Sequence, residues 1–581
     1  MRLLAILPVF SAFLLHLAAA SPRAHTQQAQ CRCLPGDSCW PKPDVWKGLN
    51  QTVNNRLIKV VPIGAQCHDP HYNAKACETL QAQWLNPLLH IESPSSPMQL
   101  SFGNQSCDPF TPREQPCELG NIVSYVVNAT SPNHIASAIK FAQKHNIRFV
   151  VRNTEPAADA GFLFSFFGRS TGAGALSVWT HHMKSLELLD YKSDVYTGKA
   201  VRLGAGVQGS EALEFANSKG LVVVAGECPT VGVAGGFTQG GGHSPLSTEF
   251  GMAADQVLFY NVVTADGRTL RASPTENQDL YWALSGGGGG TYAVVTSMTV
   301  RAHTAAQVGG GKIVIAANAS APTETFSKII AKLHKLLPEM VDNGAAVGYL
   351  LMAPALTIGP ITVFNSTGDF VQNTVAGPFL SALDKMGVSY TSEFTTKSYR
   401  DHYDQYYGPL PVGSVFSTAV QSGGRLVPRA AVEDASDEVS AAISDIIAQQ
   451  AIVVGSVGSY IAPTNKVPNA VLPAWRNTLI QLQVSVPWST DPAYWQEMLG
   501  VQTFINDALM PMIKKVTPGG ASYLNEASIK EQDWKAAFFG PNYKKLEKIK
   551  AKWDKDGFFY IHKGVGSDNW NVDAAGRMCR A

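Results

Sequence analysis

From residue 122 the chain alternates short apolar runs with amphipathic stretches. Ile122 to Val127 is rich in β-favouring residues and predicts a strand. Ser131-Pro132 then opens Asn133 to His145, where Ile135, Ala138, Ile139 and Ala142 recur at helical spacing. That pattern predicts an amphipathic helix. Ile147 to Arg152 predicts a second strand, and the strand–helix–strand rhythm runs on to about Arg301 with glycine clusters as loops. It implies an α/β unit. Residues 304–515 read differently. Strands at Gly311–Ala316, Ala346–Met352 and Ile452–Tyr460 alternate with helices at Thr323–Leu337 and Ala431–Gln449, which predicts an α+β unit with one sheet covered by helices. Past Pro518 a charged helix is expected over Tyr543–Trp553, with Gly557 as its stop.

The N-terminal part lacks such periodicity. Arg2, the apolar run Leu3 to Leu17 and Ala18-Ala19-Ala20 read as a secretory signal peptide cut after Ala20. The alternative, a membrane anchor, is disfavoured by the run's shortness and by Pro8 and His16. No later run is long and apolar enough to span a membrane. Residues 21–117 are rich in Cys and Pro and predict a disulfide-stapled segment wrapped on the main body. The chain's 9 cysteines are Cys31, Cys33, Cys39, Cys67, Cys77, Cys107, Cys117, Cys228 and Cys579. A zinc site would need paired C-x-x-C spacing, which is missing, so disulfides are the better reading. Sequons at Asn50, Asn104, Asn128, Asn318 and Asn365 agree with a secreted or vacuolar glycoprotein. With 45% hydrophobic and 16% charged residues, the 581-residue chain is no disordered polymer. Its net charge of +1 carries no electrostatic footprint for nucleic acid.

Glycine is where chemistry first shows. Gly204, Gly206 and Gly209 form a G-x-G-x-x-G after a predicted strand, with Glu227 about 20 residues on, as a dinucleotide fingerprint asks. The competing reading is a tight strand-to-helix turn, because the motif does not open its domain. Richer clusters lie at Gly168–Gly174, at Gly226–Gly236 running on to Gly240-Gly241-Gly242-His243, and at Gly286–Gly290. Such loops let backbone N–H groups approach a pyrophosphate or a flat ring. Three in one α/β unit suggest a large anionic cofactor.

The stretches SPNHIASAIKFAQKHNIRFVVRNT, GRSTGAGALSVWTHHM, GECPTVGVAGGFTQGGGHS, ENQDLYWALSGGGGGTYAVVTSMTV and YLNEAS carry a family pattern. The chain resembles the vanillyl-alcohol-oxidase/p-cresol-methylhydroxylase flavoproteins, in the berberine-bridge-enzyme-like branch, and is similar to fungal secreted FAD-linked oxidoreductases of the isoamyl alcohol oxidase type. The resemblance implies a two-lobed α+β flavoprotein. An FAD-binding domain of two α/β subdomains spans 118–303, an α+β substrate domain 304–515, and residues 516–581 return to the FAD domain. It implies FAD contacts at Gly168, Arg169, Ser170, Thr171, Gly172, Pro229, Thr230, Val231, Gly232, Gly235, Gly236, Gly242, His243 and Val294. Cys228 matches the cysteine that bonds flavin covalently at C6, which leaves eight cysteines for four bridges, one tying Cys579 to the N-terminal segment. Tyr523 and Asn525 match a Tyr-x-Asn pair beside flavin and substrate.

One departure is large. Where the family places a histidine that bonds flavin at 8α, residues 155–167 form a longer, histidine-free stretch, either a real insertion or a gene-model error at an intron.

The function expected is oxidation of a small alcohol or a secondary-metabolite intermediate by hydride transfer to FAD, with oxygen as reoxidant giving H₂O₂. Tyr523 could serve as base if a neighbour lowers its pKa, or stand as an aromatic wall. A nicotinamide enzyme built on Gly204–Gly209 and a flavin-defective, non-catalytic secreted relative are the rival readings. His181-His182 and Asp554-Lys555-Asp556-Gly557 suggest metal ligands only weakly, and no metal site is expected. Tyr403, Tyr406 and Tyr407 line a substrate pocket or pack a core. The oligomeric state is not legible.

Overall fold

The computed structural model describes residues 31–97, 100–154, 168–316, 323–413, 419–463 and 467–581. The signal-peptide reading, Asn318 and the 155–167 stretch fall outside these residues.

Three sheets organise the molecule. The first runs Leu57–Lys59, Tyr125–Asn128, Leu176–Trp179, Phe149–Arg152, with the last three strands mutually parallel. Its crossover helix is Pro132–Lys144, one residue off the predicted span at each end. Ser131 caps it by accepting from the His134 N–H, and Pro132 sits at its first turn. The apolar stripe Ile135, Ala138, Ile139 and Ala142 is fully buried against Val127, Leu176 and Val178.

The second sheet is antiparallel throughout: Leu186–Lys192, Thr197–Gly204, Ala293–Arg301, Val257–Thr264, Thr269–Ala272. The G-x-G-x-x-G therefore follows an antiparallel strand, not the parallel strand of a dinucleotide-binding βαβ unit. Its glycines serve close backbone packing. A Cβ on Gly204 would lie 2.3 Å from the Met183 carbonyl oxygen, and one on Gly206 2.1 Å from that of His181.

The third sheet has seven antiparallel strands, in the order Thr391–Ser398, Gln307–Ala316, Ala355–Phe364, Ala345–Met352, Ile452–Val457, Thr478–Pro487, Val420–Pro428. Helices Thr323–Asp342 and Ser436–Ala448 cover one face, packing Leu333, Leu337, Ile443 and Ile446 on Ile313, Leu351 and Leu482. Leu426 and Val454 of this sheet instead join the core of the glycine loops, with Val231, Ala234 and Phe237. Two helices differ from expectation. Thr323–Asp342 runs through Pro338 because Met340 and Val341 extend the buried stripe. Ala431–Gln449 is broken at Ala435 into Arg429–Asp434 and Ser436–Ala448; Asp437 and Glu438 favour a fresh N-terminus there.

Four disulfides join Cys31–Cys579, Cys33–Cys39, Cys67–Cys77 and Cys107–Cys117. Cys228 is buried outside them. Among the described residues no helix is long and apolar enough to cross a membrane. The tail helix Tyr543–Trp553 forms as expected, and Lys550, buried, donates to the Thr291 and Phe559 carbonyls and to Asp554. Asp554 also accepts the Phe558 and Phe559 N–H groups, so its carboxylate is engaged in closing the chain turn.

Candidate functional site

A cavity lies where the first two sheets meet the glycine loops and the C-terminal segment. Its walls carry Asn153, Thr154, Arg169, Ser170, Val231, Gly232, Gly235, Gly236, Gln239, Gly289, Gly290, Asn525 and Ile561. The glycines are there for space. A Cβ on Gly232 would stand 1.8 Å from Asn153 Oδ1, and one on Gly235 2.7 Å from the same atom. A Cβ on Gly236 would meet nothing, so it would fill the cavity instead. Asn153 is pinned from behind, donating to Thr180 Oγ1 at 2.8 Å and to the Ala205 carbonyl at 2.7 Å. Gln239 Oε1 is buried with no hydrogen-bond partner among the described residues, an acceptor on the wall. Arg169 donates to the carbonyls of Leu524 and His562, and burial lowers its pKa to about 9. It remains a cation at neutral pH.

The expected cofactor residues divide. Arg169, Ser170, Val231, Gly232, Gly235, Gly236 and Asn525 line the cavity. Gly168, Thr171 and Gly172 do not: Gly168 abuts the Phe102 ring, Thr171 donates to the Asn121 carbonyl, and Gly172 makes room for the Arg148 guanidinium. Pro229 and Thr230 offer their carbonyls to Ser210 and to Thr154 and Gln208, holding the loop's shape. Strand alternation turns the Val294 side chain from the cavity. Its neighbours Ala293 and Val295 face the cavity, so Val294 points away, into the core with Val263. Gly242, with φ +73, turns the chain, and its neighbour His243 lies in a second, adjoining space.

That second space is narrow, lies between the glycine loops and the seven-stranded sheet, and is lined by Glu227, His243, Ser244, Tyr407, Ser456 and Tyr460 among others. His243 Nε2 is 3.1 Å from Glu526 Oε1, and His243 Nδ1 is 3.9 Å from Glu227 Oε1. Glu526 Oε2 accepts from Gln483 Nε2 at 2.7 Å. The two carboxylates raise the His243 pKa against the opposing effect of burial. Burial, the largest effect, together with Glu526, lifts Glu227 to about 7, while His243 opposes the rise. Tyr523 is buried between the two spaces and lines neither. Its hydroxyl accepts from Asn525 Nδ2 at 2.8 Å, and its ring meets that of His243 edge-on at 5.7 Å. Burial and the nearby Glu526 push its phenol up, not down.

Periodicity could not find Glu526 or Gln483, which sit on separate elements. Glu227 was visible only as the acidic residue of a dinucleotide fingerprint. Tyr403 packs in the core and donates to the Gly226 and Glu227 carbonyls, so it braces the loop; Tyr407 reaches the second space. His181 and His182 pack on Trp179. Among the described residues no cluster of metal ligands forms. Of the sequons, Asn104 and Asn365 are exposed, both with positive φ, whereas Asn50 and Asn128 are partly covered.

Comparison with known proteins follows the same lines. A family profile described as FAD binding domain matches residues 123–273, and one described as berberine and berberine like matches 522–566. The chain is similar to the FAD-linked oxidoreductase ZEB1 of Gibberella zeae, 43% identical over 98% of this chain and 97% of that one. It is 42% identical to the VAO-type flavoprotein oxidase VAO615 of Thermothelomyces thermophilus over 96% of each chain. The crystal structure of the VAO-type flavoprotein MtVAO615 from Myceliophthora thermophila superposes with a TM-score of 0.88 at 41% identity, covering 95% of this chain and all of that one.

Proposed function

Because the chain belongs to the FAD-linked oxidoreductases of the vanillyl-alcohol-oxidase and berberine-bridge-enzyme-like type, we propose that it oxidises a small alcohol or a secondary-metabolite intermediate in the secretory pathway or outside the cell. The observation that carries the reading is the larger cavity: glycines that crowd Asn153 on one side and leave open space at Gly236 on the other. Arg169 offers a cation for a pyrophosphate, and Gln239 and Asn525 offer polar groups for a ring edge. Bound FAD supplies hydride acceptance, with oxygen as final acceptor. The chain's own residues fix position, exclude water and hold the substrate proton. Asn525 lines the proposed cofactor space, and the Tyr523 ring packs between Asn525 and His243 of the second space.

Cys228 is the proposed site of covalent attachment to flavin C6. It is buried, lies outside the four disulfides, and sits between Glu227 on one space and Val231 on the other. The disulfides and exposed sequons Asn104 and Asn365 support passage through an oxidising lumen. Visible spectra before and after acid precipitation test the reading. Yellow colour staying with the pellet, and released by Cys228→Ser, is expected. A colourless protein that takes up no added FAD would overturn it.

A further inference from the structure

We propose that Glu227 is the proton acceptor for the substrate hydroxyl, with His243 and Glu526 as positioning residues behind it; this rests on the oxidoreductase reading above. Glu227 is 7% exposed and lines the second space, and its Oε2 has no hydrogen-bond partner among the described residues. Its other oxygen is occupied, facing Ser456 Oγ at 3.5 Å and His243 Nδ1 at 3.9 Å. A buried carboxylate oxygen left without a donor is costly. One facing a space beside Tyr407 and Tyr460 is placed to receive a donor from a ligand. Tyr523, the obvious alternative, has its hydroxyl occupied by Asn525 and pushed upward by burial, which makes it a poor base.

The surroundings suit an acceptor that works near neutrality. The groups facing Glu227 are His243 and, beyond it, Glu526 from the C-terminal segment, Ser456 and Tyr460 from the seven-stranded sheet and its following loop, and the Tyr399 phenol. In the reaction the substrate O–H bond breaks and its proton moves to Glu227 Oε2. The oxygen keeps the electron pair and forms the carbonyl as the carbinol C–H leaves as hydride, the two-electron loss already assigned to FAD. Two carboxylates so near disfavour an anionic substrate. The ligand class is therefore an uncharged alcohol that carries a carbinol C–H.

Infrared difference titration of the purified holoprotein reads Glu227 without needing turnover. A protonated-carboxyl band titrating near pH 7 is expected, absent in Glu227→Gln and moved to higher pH in His243→Asn, where the imidazolium no longer opposes protonation. Phenol, used as a neutral probe, should perturb the flavin spectrum with the same pH dependence in the wild type and lose that dependence in Glu227→Gln; benzoate should perturb it at least tenfold more weakly above pH 7. A band surviving Glu227→Gln, or a phenol response whose pH dependence that variant leaves intact, overturns the proposal. Should Glu227→Gln fold poorly, Glu227→Asp must shift the band's frequency and midpoint, and an unshifted band is equally fatal. The carboxyl titration is independent of flavin, so a colourless protein that shows it refutes the oxidoreductase reading, whereas a yellow one lacking it refutes only the base.

Discussion

Gly232→Ala is the most direct test of why the cavity wall is built from glycine. The backbone at Gly232 has φ −68 and ψ 114, which alanine adopts freely, so no strain comes from the main chain. The added methyl would sit 1.8 Å from Asn153 Oδ1, well inside contact distance. Relief requires the Asn153 amide to rotate away, breaking its bonds to Thr180 Oγ1 and the Ala205 carbonyl. Two net hydrogen bonds at about 1 kcal/mol each, plus part of the penalty for a stranded buried acceptor, give a cost of roughly 2–4 kcal/mol. If that cost falls on the cofactor-loaded state, FAD affinity weakens by about thirty- to several-hundred-fold. Gly236→Ala is the matched control, because its methyl meets no protein atom and enters the cavity instead. The assay is flavin-to-protein absorbance together with the denaturant midpoint. Gly232→Ala should lose both flavin and stability; Gly236→Ala should lose flavin alone. A Gly232→Ala protein with wild-type midpoint and full flavin content would refute the role given to Asn153.

Other outcomes follow from the same contacts. Arg476 donates twice to Asp255, which is 2% exposed and otherwise accepts from Asn469 and the Met252 N–H, so Arg476→Ala should lower unfolding free energy by about 2–4 kcal/mol in a denaturant titration. Replacing both Cys31 and Cys579 by Ser opens a bridge of sequence separation 548 and should cost about 3–5 kcal/mol by the same measurement, since the three remaining bridges close only short loops. Glu227 is raised to about 7 from 4.5, so the folded state binds the extra proton; its own contribution to stability is fully present below about pH 4.5 and is lost as pH rises to about 7, and Glu227→Gln should remove that component, read as the wild-type-minus-variant difference in denaturant midpoint against pH.

Regular elements were legible because burial follows their periodicity. Ile135, Ala138, Ile139 and Ala142 mark a helix whose one face meets a sheet, and the sequence spacing and the buried stripe coincide. The glycine clusters were legible as loops near a cofactor for a similar reason: where no Cβ fits, little but glycine serves. Side-chain direction was not. Val294 and Val295 are chemically alike, and only strand phase decides which one faces the cavity. Nor could the Glu227–His243–Glu526 group be read, since its members lie far apart in sequence and meet only when the C-terminal segment folds back across the glycine loops. Pairings made by tertiary return leave no local pattern.

That return has a temporal consequence. Tyr523, Asn525, Glu526 and Ile561 are translated after every strand of the three large sheets. A nascent chain can complete its scaffold while the larger cavity still lacks Asn525 and Ile561, and the Cys31–Cys579 bridge can lock that wall only when synthesis has passed residue 579. The wall that completes this cavity is thus made later than the sheets it closes, and the disulfide is the latch that ties its segment back to the region of Cys31.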